Sequence, residues 1–338
     1  MNTGVMVTTR GVALIAMTLL ALASCSSGTS SVTSTSAANS TESTADQKGE
    51  ASSTGSGCAA EKEGSNSEGT AASRPFEVEV PASYSEGSPA PLLILLHGYG
   101  ADGASLGEAL GIKSQAERLG MLLVHPDGTA GVGCDRFWNA TGACCGFGRQ
   151  VDDVGYLSSV IDDVSARYSV DPKRVFLIGH SNGGFMSYRL ACERADRIAA
   201  IVSVAGETLV NAADCTPSVP VSVLQVQGTE DATILYGGGK VQWASEAYPG
   251  ARQSVAMWAG YDHCTGTIST EKARDLQPQV AGAETVPEEF SDCPTGIAVQ
   301  LWTMSGVGHW PWAIRAGTGE PDLLVAAMLE FLMAHPKP

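Results

Sequence analysis

The stretch "RVFLIGHSNGGFMSYRLACER", residues 174–194, changes character at its centre. Arg174 to Gly179 is a short apolar run of the kind that forms a buried strand. Gly183 to Arg194 carries apolar residues at helical spacing. Between them, Gly179 and Gly183 bracket Ser181 in a G-x-S-x-G pattern. A strand that turns this sharply into a helix has no room for Cβ atoms beside the turn, and glycine removes them. Such a turn lifts the serine hydroxyl above the C-terminal edge of a sheet, where α/β sheets bind ligands. Ser181 is therefore a candidate nucleophile, although alone it reads equally well as a helix N-cap.

A serine nucleophile needs a base, and the base needs an orienting carboxylate. In this arrangement the partners follow in the order serine, acid, histidine, each at a strand end. "VSVLQVQGTED" (221–231) supplies Asp231, with Glu230 as an adjacent alternative that would point elsewhere. "IAVQLWTMSGVGH" (297–309) supplies His309. "LLHGYG" (95–100) follows the first buried strand, and the backbone N–H groups of Tyr99 and Asn182 are the candidate oxyanion donors. His97 precedes the glycine of that stretch and reads as structural. Singly, Asp231 could be a turn residue and His309 a surface histidine. Together, in order and at strand ends, they point to nucleophilic acyl transfer.

The rest of the chain alternates strands and helices. "RPFEVEVP" (74–81) reads as an edge strand, "PLLILL" (91–96) as a buried parallel strand and "MLLVHP" (121–126) as the next. Residues 104–119 and 152–168 read as helices, the second opened by Asp152 and Asp153 where the helix dipole favours them. Residues 128–150 form a long loop. Strands are expected at 198–206, 221–228 and 297–304, with helices at 254–262 and 320–335. The expected fold is α/β, an α/β-hydrolase with a mostly parallel central sheet and helices on both faces, in one domain spanning 74–338.

The 338 residues carry a net charge of −16. That charge excludes nucleic acid as a partner and electrostatic attachment to anionic lipid. Arg10 precedes "GVALIAMTLLALAS", which runs into "LASC" (22–25). Residues 1–25 thus read as a lipoprotein-type signal peptide ending at a lipobox, with Cys25 lipidated; the alternative is an ordinary secretory signal cut near Ala23 or Ser24. Residues 26–73, Ser-, Thr-, Ala- and Gly-rich, read as a disordered tether. The expected location is the cell surface or periplasm as a lipoprotein, or the exterior as a secreted protein, with membrane contact only through the N-terminal lipid. Oligomeric state is left open. Beyond Cys25, eight of the nine cysteines remain in an oxidising compartment. The expected bridges are Cys192–Cys215, Cys264–Cys293, and Cys134 with Cys144 or Cys145, leaving Cys58 and one of the vicinal pair unassigned. No Cys/His cluster has zinc spacing, so no metal is expected.

"LLHGYG", "HPDG", "FWNATGACCG", "VDDVGYLSSVIDD", "VDPKRVFLIGHSNGGFMSYRLACERADRIAAIVSVAG", "GTED" and "LWTMSGVGHWPW", spread over most of 91–312, carry a further signal. Together they resemble the polyhydroxybutyrate depolymerase and feruloyl esterase group of α/β-hydrolases, also called the LpqC-like esterases. The resemblance implies carboxylic-ester hydrolysis without a cofactor, with Ser181, Asp231 and His309 at the positions of that group's triad. It departs at the histidine, which Trp310 follows directly, and after the acid, where "ATILY" (232–236) stands. Trp138, Trp310 and Trp312, with Tyr99, are candidates for an aromatic substrate wall suited to a feruloyl ring or a flat polyester; Phe137 reads as core. Residues 262–292 look enlarged, as a lid or rim. The Asn139 sequon carries little meaning beside a bacterial lipobox. The competing classes are a serine peptidase, disfavoured because no propeller or peptide-clamping domain is seen, an acyltransferase, and a non-catalytic surface-tethered binding protein.

Overall fold

The computed structural model describes residues 74–131, 135–146, 150–312 and 322–338. The expectations for the signal peptide, the tether, Cys25, Cys58 and Cys134 lie outside the described residues. In chain order the strands are β1 (Val78–Glu79), β2 (Ala90–Leu96), β3 (Leu122–Val124), β4 (Thr129–Ala130), β5 (Arg136–Phe137), β6 (Val170–His180), β7 (Ala200–Val204), β8 (Ser222–Gly228), β9 (Ile268–Thr270), β10 (Thr285–Phe290) and β11 (Val299–Met304). The α-helices are α1 (Gly103–Leu110), α2 (Ile112–Leu119), α3 (Asp153–Arg167), α4 (Asn182–Glu193), α5 (Ala251–Tyr261) and α6 (Leu323–Ala334).

One sheet runs in the order β1-β3-β2-β6-β7-β8-β11-β10-β9. Its centre, from β3 to β11, is parallel throughout. Antiparallel strands close both edges: β1 on β3, then β10 on β11 and β9 on β10. The apolar run of β2 shows why its residues alternate between two cores. Leu92, Ile94 and Leu96 pack with Tyr156, Phe185 and Trp258 from α3, α4 and α5. Leu93 and Leu95 face the other way, with Leu106, Ile112 and Met328 from α1, α2 and α6. A strand covered on both faces has no polar side, which is why its sequence does not alternate.

The structure refines or departs from the expectations in four places. The helix expected over 104–119 is two helices, because Gly111 takes a left-handed φ of 59° and its N–H closes back onto Glu108 and Gly107. Residues 262–292, expected as a lid or rim, carry β9 and β10, which extend the sheet beyond β11, and Cys264–Cys293 ties the root of the extension together. Cys144 does not pair with Cys134; it pairs with its neighbour Cys145, the two Cα atoms lying 3.1 Å apart across a cis peptide. Cys192–Cys215 joins the end of α4 to the turn before β8. The loop expected over 128–150 contains a small ribbon, β4 paired antiparallel with β5.

Candidate active site

β6 runs directly into Ser181, which has φ 53° and ψ −118°. A non-glycine residue in that region is strained and persists only where its surroundings hold it. Here backbone packing does so. A Cβ on Gly179 would lie 2.1 Å from the carbonyl oxygen of Gly183, and one on Gly183 would lie 2.1 Å from that of Leu96. The Ser181 N–H donates to Val204 O, and its carbonyl accepts from the Phe185 N–H. The end of β2 abuts the same turn: a Cβ on Gly98 would be 3.4 Å from Ser181 Cβ. Tyr99, the next residue, is half exposed on that rim. Asn182 opens α4, where the first N–H groups of a helix have no intrahelical acceptor.

The Asn182 side chain does something the sequence did not reveal. Its Oδ1 accepts from Trp138 N at 2.7 Å and its Nδ2 donates to Trp138 O at 2.9 Å. Trp138 is 0% exposed and its indole N–H donates to His97 O, so it supports the site from beneath and does not line a substrate wall. Phe137 is buried too. Asp153 is buried, accepting from Asn139 N and from Arg74, whose guanidinium stacks 3.6 Å from the Tyr156 ring centroid. Asn139 is itself tied inward, its Nδ2 donating to Val151 O. His97 donates from Nδ1 to Gly98 O and accepts at Nε2 from Gly128 N. Both ring nitrogens are thus occupied, and burial lowers its pKa.

Asp231 stands just past the end of β8. Its Oδ1 accepts from Thr233 N and Ile234 N, both at 2.8 Å. Its Oδ2 accepts from Gln227 Nε2 at 3.0 Å and from His309 Nδ1 at 2.8 Å. Burial pushes its pKa up, but the His309 contact and the two backbone donors outweigh it and hold the pKa below the ordinary value. The His309 bond places a proton on Nδ1 and the acceptor lone pair on Nε2, the arrangement a general base needs. Glu230 is exposed, its N–H bonded to Val307 O.

His309 is held from behind as well. His180 donates from Nε2 to His309 O at 2.9 Å, and the two ring centroids are 4.9 Å apart. Burial, then the neighbouring His309, lowers the His180 pKa to about 4, so this ring is neutral at ordinary pH. Trp310 and Trp312 pack edge-on against it. They then diverge: Trp310 is 43% exposed and Trp312 is buried at 3%. Of the aromatic wall expected from sequence, Trp310 and Tyr99 are the members that face solvent. Among the described residues, no group of three or more His, Cys, Asp or Glu side chains is placed to hold a metal ion.

Residues 115–253, which include Ser181 and Asp231, match the model of the prolyl oligopeptidase family. Feruloyl esterase B from Piromyces equi is 29% identical over 238 residues, covering 69% of this chain and 42% of that protein. Poly(3-hydroxyalkanoate) depolymerase C from Paucimonas lemoignei is 23% identical over 246 residues, covering 68% of this chain and 57% of that protein. The chain therefore spans about half the length of these relatives. The solved acetyl xylan esterase from Aspergillus awamori superposes with a TM-score of 0.52 at 14% identity, over 69% of this chain and 88% of that one, which shows the shared fold.

Proposed function

We propose that this carboxylic-ester hydrolase, an α/β-hydrolase related to the feruloyl esterases and poly(3-hydroxyalkanoate) depolymerases, cleaves feruloyl, aryl or short-chain esters of plant polysaccharide through an acyl-enzyme on Ser181. His309 takes the proton from the Ser181 hydroxyl as its oxygen attacks the ester carbonyl. The backbone N–H groups of Tyr99 and Asn182 receive the oxyanion. The alcohol leaves with the proton from His309, and water repeats the sequence to free the acid. Asp231 keeps the imidazole in the required tautomer and stabilises its charged form. The reaction needs no cofactor.

The observation that carries this reading is the 2.8 Å bond from His309 Nδ1 to a carboxylate that three further donors hold, two strands along the sheet from a serine at a strained elbow. The disulfides Cys192–Cys215 and Cys264–Cys293 support an exported protein. Lipidation of Cys25 would then hold it at the membrane on the 26–73 tether. A polyester substrate is the second reading. It is favoured by the likeness to the depolymerase and by Trp310 and Tyr99 standing open to solvent, as a flat polymer surface requires.

The test uses the full chain and its Ser181→Ala variant. Ferulate released from methyl ferulate and 3-hydroxybutyrate released from amorphous polyhydroxybutyrate are quantified side by side. Ferulate release that Ser181→Ala abolishes is the expected result. Hydroxybutyrate release without ferulate selects the second reading. Neither product above the variant's level sinks both, and a chain that also fails to react with a fluorophosphonate removes Ser181 as the nucleophile and favours the non-catalytic reading.

A further inference from the structure

We infer that Gln227 is a positioning residue for the Asp231–His309 pair, aligned by a buried chain of side chains that begins at Tyr188 and Glu207. The inference rests on the proposed role of that pair. Gln225 and Gln227 lie two apart on β8, a strand buried at every position, so their amides share one face and neither reaches water. An amide left unpaired there would cost roughly 1–3 kcal/mol, which makes its partners obligatory.

The bonds fix which way each amide points. Gln227 Nε2 donates to Asp231 Oδ2 at 3.0 Å and to Ile234 O at 2.8 Å, using both its hydrogens. Rotated by half a turn, its Oε1 would face a carboxylate and a carbonyl with no proton between them. Its Oε1 instead accepts from Gln225 Nε2 at 3.2 Å. Gln225 Oε1 in turn accepts from the Tyr188 hydroxyl at 2.8 Å, and its second Nε2 hydrogen reaches Glu207 Oε1 at 3.4 Å. Glu207 closes the chain on the Ser254 hydroxyl at 2.6 Å.

Along Tyr188, Gln225 and Gln227 one donor at each link therefore points toward Asp231, while the second hydrogen of Gln225 branches to Glu207 and that of Gln227 to Ile234 O. Aligned hydrogen bonds in a low-dielectric interior polarise one another, so the last donor is strengthened. That donor and His309 Nδ1 share Oδ2, which sets the carboxylate plane against the imidazole. Glu207 is fully buried, and among the described residues it bonds to Gln225 and Ser254 and to no lysine, arginine or histidine. Burial raises its pKa well above the ordinary value, which favours the neutral acid over a second negative charge behind Asp231.

The test compares Gln227→Leu and Gln227→Glu with wild type in the full chain, using p-nitrophenyl acetate and the rate of fluorophosphonate labelling. Gln227→Leu keeps the volume and loses the donor; kcat and the labelling rate fall about tenfold while KM stays within about twofold. Gln227→Glu keeps the shape and can donate only while protonated, so its activity relative to wild type declines as pH rises. A purely structural role moves neither the kcat-against-KM split nor that ratio. If Gln227→Leu matches wild type in kcat, or the Gln227→Glu ratio stays flat with pH, the inference is overturned. Should Gln227→Leu fail to fold by circular dichroism, the pH ratio of Gln227→Glu decides alone. A wild type that neither hydrolyses the ester nor labels brings down the reading of the site, and the inference with it.

Discussion

At the end of β6, Ser181 is fixed by contacts that have no direction: glycines at 179 and 183 let backbone atoms approach where a Cβ would meet a carbonyl oxygen at 2.1 Å. At the end of β8, two strands along the sheet, the backbone is packed as closely, a Cβ on Gly228 lying 2.1 Å from Val307 O, but the Asp231 carboxylate itself is fixed by four donors with definite geometry. The two sides fail differently. Steric placement is lost with the fold, because the atoms that hold Ser181 also hold the sheet to α4. Hydrogen-bonded placement can be lost alone, because a carboxylate can turn within its pocket while the sheet stays intact.

The largest expected effect comes from removing charge on the hydrogen-bonded side. Asp231→Asn should lower kcat for p-nitrophenyl acetate on the order of 10³- to 10⁴-fold while the circular dichroism spectrum and thermal midpoint stay near those of wild type. A loss below tenfold would show that the β8 side does not govern the reaction. Next is Gly183→Ala, whose new Cβ collides with Leu96 O; it should cost about 3 kcal/mol or more in urea unfolding. The contrasting substitution is Gly260→Ala, on an open face of α5 with nothing within 4 Å, which should be neutral or slightly stabilising. Equal costs at the two glycines would end the claim that packing fixes the elbow.

A further effect, spread over pH, concerns His180, the titrating group on the steric side. Burial, then His309, lowers its pKa to about 4 from the ordinary 6.5. Between those values the unfolded chain binds a proton that the folded chain refuses. The stability His180 permits is therefore complete above pH 6.5 and is lost as pH falls toward 4, by about 3 kcal/mol in all. Asp262 has the opposite sign: burial raises its pKa from 3.8 to about 7, so its contribution is present below 3.8 and is lost as pH rises through 7. Urea melts at pH 4, 5.5 and 7 should show His180→Asn gaining on wild type toward acid and Asp262→Asn gaining toward neutral. Parallel curves for either variant would remove that group from the account.

The parts of the molecule written in local pattern were legible in the sequence. The runs at 91–96 and 175–178 are continuous apolar stretches within β2 and β6, and 222–228, apolar at Val223, Leu224 and Val226, is β8. The break at Gly111 was hidden because Leu110 and Ile112 keep the apolar pattern going on both sides of it. β10, "TVPEEF", was hidden because its two carboxylates read as polar loop, yet Glu288 is buried and paired with Arg252. Tryptophan burial was illegible for a different reason. Trp310 and Trp312 are two apart in sequence and both stand edge-on to His180, but Trp312 alone joins the core cluster that holds Trp302, Met304 and Val307, a contact set that local pattern does not encode. Gln225 and Gln227 gave a signal that could have been read: two amides alternating with Leu224 and Val226 look like a solvent-facing strand side, yet β8 is flanked by strands on both sides and covered on both faces.

The sheet ends in very short strands: β1 has two residues and β9 has three. On β1, the carboxylate of Glu79 is already engaged by Lys113 and His125. A strand edge grows by recruiting another chain only if it offers a long, flat row of unpaired backbone groups, and two or three residues offer too few. The large parallel centre, whose strands would be the most adhesive surface of the molecule if laid bare, is thus fenced by margins that cannot template an addition. A concentrated solution of folded molecules should resist edge-to-edge polymerisation, and clumping during refolding should trace to moments before β1 and β9 have docked.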